Sequence, residues 1–143
     1  MVGGMGHTSM TSFAISKFTK EDVVCFDGDG SFIMHLGALT TVGKNRKSNF
    51  KYLMVDNGAH ESIGGQPIDL KNLNIKNLAV SMGFKNVFYT NKISRLNSIM
   101  KKFIKSKGPS FFHIRIKIGT LNNLVRQYKI LAGRTTNIAS TRF

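Results

Sequence analysis

Two short apolar runs, each ending in an acidic, glycine-containing turn, constrain this chain more than any other feature. Val23–Phe26 runs into Asp27-Gly28-Asp29-Gly30-Ser31, and Tyr52–Val55 runs into Asp56-Asn57-Gly58-Ala59. Between them, Ser31–Val42 is helical in pattern and long enough to be the crossover of a βαβ unit, which sets the two runs side by side as parallel strands. In open parallel sheets, ligands bind outside the carboxyl ends of the strands. A carboxylate and a side-chain amide on adjacent strand ends, beside a helix amino terminus, suit a diphosphate carrying a hard divalent cation.

The rest of the chain alternates in the same way. Gly6–Phe18 reads as a helix that offers Phe13, Ile15 and Phe18 for burial, and Phe50–Val55 as a strand covered on both faces. Gly58–Lys71 is a glycine-rich loop with no more than a single turn. Leu73–Met82 is a helix stopped by Gly83, and Val87–Tyr89 is a strand. Ile93–Ile104 is an amphipathic helix, and Ser110–Ile118, after the Gly108-Pro109 break, is the last strand. Strand–helix alternation predicts an α/β fold, a parallel sheet flanked by helices on both faces. There are no internal repeats and no low-complexity linker.

Composition narrows the setting. A chain of 143 residues is one domain, large enough for a core and small for a complete cofactor enzyme. No apolar run approaches membrane-span length, and the N-terminus lacks a basic-then-apolar secretory pattern. The single cysteine, Cys25, lies inside an apolar strand, where a buried, inert thiol is expected; a reducing, cytoplasmic setting fits. Charge is lopsided. All seven acids fall in the first 69 residues beside six Lys and Arg, whereas the remaining 74 residues hold fifteen basic residues and no acid. Those cations are scattered through helix and strand patterns, without a compact block or an aromatic stacking signature, so specific nucleic-acid recognition is not expected. An anionic substrate or an acidic partner chain remains open.

Taken singly, each candidate residue has a structural alternative. Asp29 and Ser31 could cap a helix, and Asn57 could be a turn residue before Gly58. Met5 could fill a core. His7, His35 and His60 share no zinc-like spacing, and His113 falls in a strand. Together, in this order and spacing, the metal-site reading outweighs these alternatives.

Four successive blocks resemble the phosphonopyruvate decarboxylases, a family of thiamine-diphosphate enzymes. They are Val2-Gly3-Gly4-Met5-Gly6-His7, Asp27–Ser31, Met34-His35-Leu36-Gly37-Ala38-Leu39 and Asn57–Pro67. The likeness is dense from Val2 to Pro67 and looser to about Lys117; sulfopyruvate decarboxylase is the near relative. The resemblance implies a thiamine-diphosphate-binding fold over residues 1–118, short of its first strand–helix unit, with a divergent basic tail at 119–143. It implies that Asp29, Asn57 and the Ala59 carbonyl ligate Mg2+, and that Gly28, Gly30, Ser31 and Asn57 meet the diphosphate of thiamine diphosphate. Backbone groups of Gly3 and Met5 would hold the pyrimidine edge, the Met5 side chain would bend the cofactor, and His60 would lie on the substrate side as a catalytic candidate.

The implied reaction is nonoxidative decarboxylation of a small 2-oxo acid, phosphonopyruvate giving phosphonoacetaldehyde, with the cofactor carrying the chemistry. In the family, the acid that activates the pyrimidine ring lies on a separate pyrimidine-binding domain, so a partner domain or subunit is expected. The assembly would be a homo- or hetero-oligomer, with the isolated chain inactive. A sulfopyruvate decarboxylase subunit, a noncatalytic fragment and a basic binding module stay open beside this reading.

Overall fold

The computed structural model describes residues 4–119, so Gly3 and all but the first residue of the 119–143 tail lie outside the described residues. The elements are α1 (Thr8–Phe18), β1 (Val23–Gly28), α2 (Asp29–Met34), α3 (Ala38–Asn45) and β2 (Phe50–Asp56), followed by a small hairpin of β3 (Ala59–His60) and β4 (Gln66–Pro67) around a 3-10 turn at Glu61–Ile63. The chain continues through α4 (Ile75–Ser81), β5 (Asn86–Thr90), α5 (Ile93–Lys105) and β6 (Ser110–Arg115). Four strands form one parallel sheet in the order β1-β2-β6-β5, with Gly28 opposite Val55 and Asp56 opposite Arg115. All four carboxyl ends therefore open on one edge, where the sequence places its candidate residues.

Strand alternation sends neighbouring side chains to opposite faces, and each face has its own helices. Tyr52, Met54 and Phe111 pack with Phe13 of α1, Phe32 of α2, Leu39 and Val42 of α3, and Ile75 and Ala79 of α4. Leu53 and Phe112 turn the other way, onto Phe103 of α5. Helices thus cover both faces, as the alternation predicts. Cys25 is buried in the first cluster, and burial pushes its thiol pKa up to about 12, which suits a packing residue rather than a nucleophile.

Three local expectations need correction. The single helix expected at Ser31–Val42 is two helices, α2 and α3. His35 leaves helical geometry (φ −131°, ψ 41°), its ring centroid lies 4.3 Å from that of His7, and the chain re-enters α3 through bonds three residues apart. The Gly58–Lys71 loop carries the β3–β4 hairpin in addition to its turn. Finally, the apolar surface is less covered than its pattern implies. Phe18 is 91% exposed, Ile93 85% and Ile118 66%, and β6 stops at Arg115, before the expected Ile118 end.

Candidate functional site

β1 ends at Gly28 and α2 begins at once with Asp29, so the carboxylate stands in the first helical turn at the strand end. Asp29 is almost fully buried. Its Oδ1 accepts from the Gly30 N–H at 2.8 Å, and its Oδ2 accepts from the Gly58 N–H at 2.6 Å. That second bond joins the two sequence turns directly, the end of β1 to the loop after β2. Asn57 completes the loop. Its Oδ1 accepts from the Ala59 N–H at 3.1 Å and its Nδ2 donates to Glu61, whose other oxygen accepts from the Gly119 N–H at 2.8 Å.

The turn before α1 comes to the same place. The Gly6 N–H donates to Ser31 Oγ at 2.9 Å, which seats the Gly4–Gly6 turn on the first turn of α2. A β-carbon on Gly30 would lie 2.7 Å from the His60 ring and 3.0 Å from the Met5 methyl, so a larger residue here would have to displace those side chains. Met5, Gly28, Asp29, Gly30, Ser31, Asn57, Ala59 and His60 line one cavity of about 290 Å³. All the sequence candidates within the described residues therefore converge. One detail differs: the Gly30 N–H, expected to face a diphosphate, is already donated to Asp29.

Asp27, the second carboxylate of the Asp27–Ser31 turn and a rival to Asp29 in sequence, lines the cavity, and three side chains given no role by the sequence lie behind it. Asp27 Oδ2 accepts from the buried Tyr52 hydroxyl at 2.7 Å and Oδ1 from the Gly28 N–H at 3.1 Å. Asp56, at the end of β2, is held by His113 Nε2 at 2.8 Å and Arg115 Nη1 at 2.6 Å, both from β6. The two carboxyls respond in opposite directions. Burial raises the Asp29 pKa, and the neighbouring Asp56 carboxyl adds to the rise against the pull of the Gly58 and Gly30 N–H groups. Burial also pushes Asp56 upward, but the bonds from Arg115 and His113 outweigh it and hold that carboxyl below the usual range.

The chemistry of the cavity fits a diphosphate and its metal. Among the described residues no three His, Cys, Asp or Glu side chains converge on one point, and the cavity offers the Asp29 carboxylate, the Asn57 amide oxygen and the Ala59 backbone. That all-oxygen set suits Mg2+. His60 Nδ1 is enclosed without a hydrogen-bond partner beside Gly30, and so offers a polar atom to an anionic group. The volume is at the lower edge of the ~300–1,000 Å³ typical of small-molecule sites, which is room for one end of an extended cofactor.

Residues 1–114 match the family model of the thiamine pyrophosphate enzyme C-terminal TPP binding domain, a span that includes Met5, Asp29, Asn57, Ala59 and His60. The chain belongs to that family. It is 33% identical over 126 residues to the phosphonopyruvate decarboxylase of Streptomyces viridochromogenes, covering 88% of this chain and 32% of that one. It is also 33% identical over 88 residues to the sulfopyruvate decarboxylase subunit beta of Methanocaldococcus jannaschii, covering 61% of this chain and 47% of that one. The chain spans about a third of the length of the phosphonopyruvate decarboxylases it matches. Among solved structures, a protein from Mycobacterium smegmatis assigned to the thiamin diphosphate-dependent enzymes superposes with a TM-score of 0.64 at 19% identity, over 82% of this chain and 23% of that one. That likeness shows the fold: the thiamine-diphosphate type of parallel sheet with helices on both faces. Among the described residues no helix is long and apolar enough to cross a membrane.

Proposed function

We propose that this TPP-binding domain holds the diphosphate end of thiamine diphosphate and its Mg2+ in a decarboxylase of the phosphonopyruvate and sulfopyruvate type. One observation carries the reading: the Gly58 N–H bond to Asp29 Oδ2, which brings the Gly-Asp-Gly turn and the Asn57 loop to a single cavity. Asp29, Asn57 and the Ala59 carbonyl would hold the cation, and the Gly28–Ser31 turn would receive the diphosphate at the start of α2. Met5 stands against Gly30, where an apolar side chain can press on the bound cofactor. When bound, the cofactor supplies the carbon nucleophile and electron sink for carbon dioxide loss. The chain's own share is to anchor charge, set the cofactor's shape and offer His60 as a donor to an anionic group of cofactor or substrate.

Phosphonopyruvate is the substrate favoured by the Asn57–Pro67 block and the Streptomyces relative. The beta-subunit relative favours a second reading, a sulfopyruvate decarboxylase subunit whose pyrimidine-binding partner is a separate chain. Asp29→Ala tests the site itself. Titration calorimetry of thiamine diphosphate into the purified chain should show Mg2+-dependent binding, and the variant should lose it while keeping its far-ultraviolet circular dichroism. A hard cation deprived of its one charged ligand accounts for that loss. Equal affinity in the two proteins would overturn the assignment.

A further inference from the structure

Asp56 closes β2 and its side chain is 2% exposed. β6 takes both of its oxygens, His113 Nε2 at Oδ2 and Arg115 Nη1 at Oδ1, and the Ile116 N–H donates to the Asp56 carbonyl at 2.8 Å. His113 and Arg115 stand two apart on β6 and so share a face. The guanidinium then continues over the loop that follows Asp56: a β-carbon on Gly58, whose φ is +75°, would lie 2.8 Å from Arg115 Nη2. Gly58 in turn donates its N–H to Asp29. A continuous run of contacts therefore links β6 to Asp56 and Gly58, and through Gly58 to Asp29. Asp56, His113 and Arg115 do not themselves line the cavity.

We propose that Asp56, His113 and Arg115 are positioning residues, a brace that fixes the Asn57–Ala59 loop against Asp29 and so sets the site's preference for a small cation. The inference rests on the metal-site reading above. Mg2+ demands near-octahedral oxygen geometry at about 2.0–2.1 Å, whereas Ca2+ accepts looser sets of six to eight oxygens at about 2.3–2.6 Å. A braced loop presents its oxygens already in place. A released loop penalises the smaller, stricter ion more than the larger one.

The test measures thiamine diphosphate affinity of the full chain by calorimetry across a Mg2+ series and, separately, a Ca2+ series. Arg115→Ala is a fair probe, because the side chain is 38% exposed and borders a second open cavity of about 410 Å³, so water refills the space. The half-saturating Mg2+ concentration should rise about 10- to 100-fold, the usual effect of removing a group behind a metal ligand. The Ca2+ requirement should move by less than about threefold on the same physical ground. Arg115→Lys, which keeps the charge without the second arm over Gly58, should fall between the two. As an independent pair, His113→Gln should retain Mg2+ binding and His113→Ala should weaken it, each with unchanged far-ultraviolet circular dichroism. Equal losses for both cations, or an unmoved Mg2+ requirement, would overturn the brace while leaving the site intact. Cofactor binding that ignores cations in the unaltered protein would overturn the metal-site reading and the brace with it.

Discussion

At the scale of single residues, Asp29 makes no ion pair among the described residues, yet it is buried and accepts only from backbone N–H groups. Burial, reinforced by Asp56, raises its pKa, so the metal-free fold favours the protonated carboxyl more than the unfolded chain does. The contribution of such a group to stability is present at low pH and is lost as pH rises through the raised value. Asp29→Asn removes that titration. The metal-free protein should therefore gain thermal stability relative to Asp29→Asn as pH falls into the acid range, the direction a raised carboxyl requires. Saturating Mg2+ at pH 7 should raise the melting temperature of the unaltered protein and leave that of the variant where it was. Parallel melting curves for the two metal-free proteins across this range would remove Asp29 as the strained carboxylate. Much of this site was legible in sequence, because Met5, Asp29, Asn57 and His60 sit in ordered blocks beside glycines. The Asp56 brace was not, since its partners lie 57 and 59 positions away and only strand register brings them together. The available signal was faint: His113 and Arg115 alternate with apolar residues in the last strand.

At the scale of elements, apolar periodicity located every strand of the main sheet, and it erred where one contact outweighs local pattern. Ser31–Val42 has no helix breaker strong enough to announce the interruption at His35, which depends on His7 and Gly6 arriving from another element: a β-carbon on Gly6 would lie 2.2 Å from His35 Nδ1. Lys51 sits inside the strand Phe50–Asp56 and is buried only because Asp22, 2.6 Å away, pairs with it. Ile93 and Ile104 follow the helical pattern of α5 yet stay exposed, since the buried anchor of that helix is Phe103. Two glycines in the α2–α3 region separate backbone freedom from packing. A β-carbon on Gly43 would lie 1.7 Å from the Met82 carbonyl oxygen, where α3 meets the end of α4 backbone to backbone. Gly37 has helical angles (φ −59°, ψ −28°) and nothing within 4 Å of that position. Gly43→Ala should cost about 1–3 kcal/mol in denaturant unfolding, as overpacking against rigid backbone does. Gly37→Ala should be neutral or stabilise by up to about 1 kcal/mol, by narrowing the unfolded ensemble. Equal effects would mean that α3 and α4 do not approach as closely as described.

At the scale of the whole molecule, the question is what the chain can do alone. The cavity has room for one end of the cofactor, and each acid lining it is engaged. Asp27 is bound by Tyr52 and Gly28, Asp29 by Gly30 and Gly58, and Glu61 by Asn57 and Gly119. General acid–base help at the far end of the cofactor needs a carboxyl within hydrogen-bond reach, and these three are spoken for. The purified chain, given saturating thiamine diphosphate and Mg2+, should therefore release no carbon dioxide from phosphonopyruvate or sulfopyruvate above the uncatalysed rate. Adding a separate pyrimidine-binding subunit should bring turnover, by gripping the cofactor at its other end and shielding it from water. Association should quicken at low salt if that partner is acidic, because residues 70–143 carry fifteen cations and no acid to oppose them. A steady-state assay of carbon dioxide release, run with and without the partner and on both substrates, separates the possibilities. Turnover only with the partner supports the split-site reading, and the faster substrate identifies the acid. Robust turnover by the chain alone would mean that one of the three engaged carboxyls is freed when the cofactor binds, and would end the claim that activation comes from a second domain.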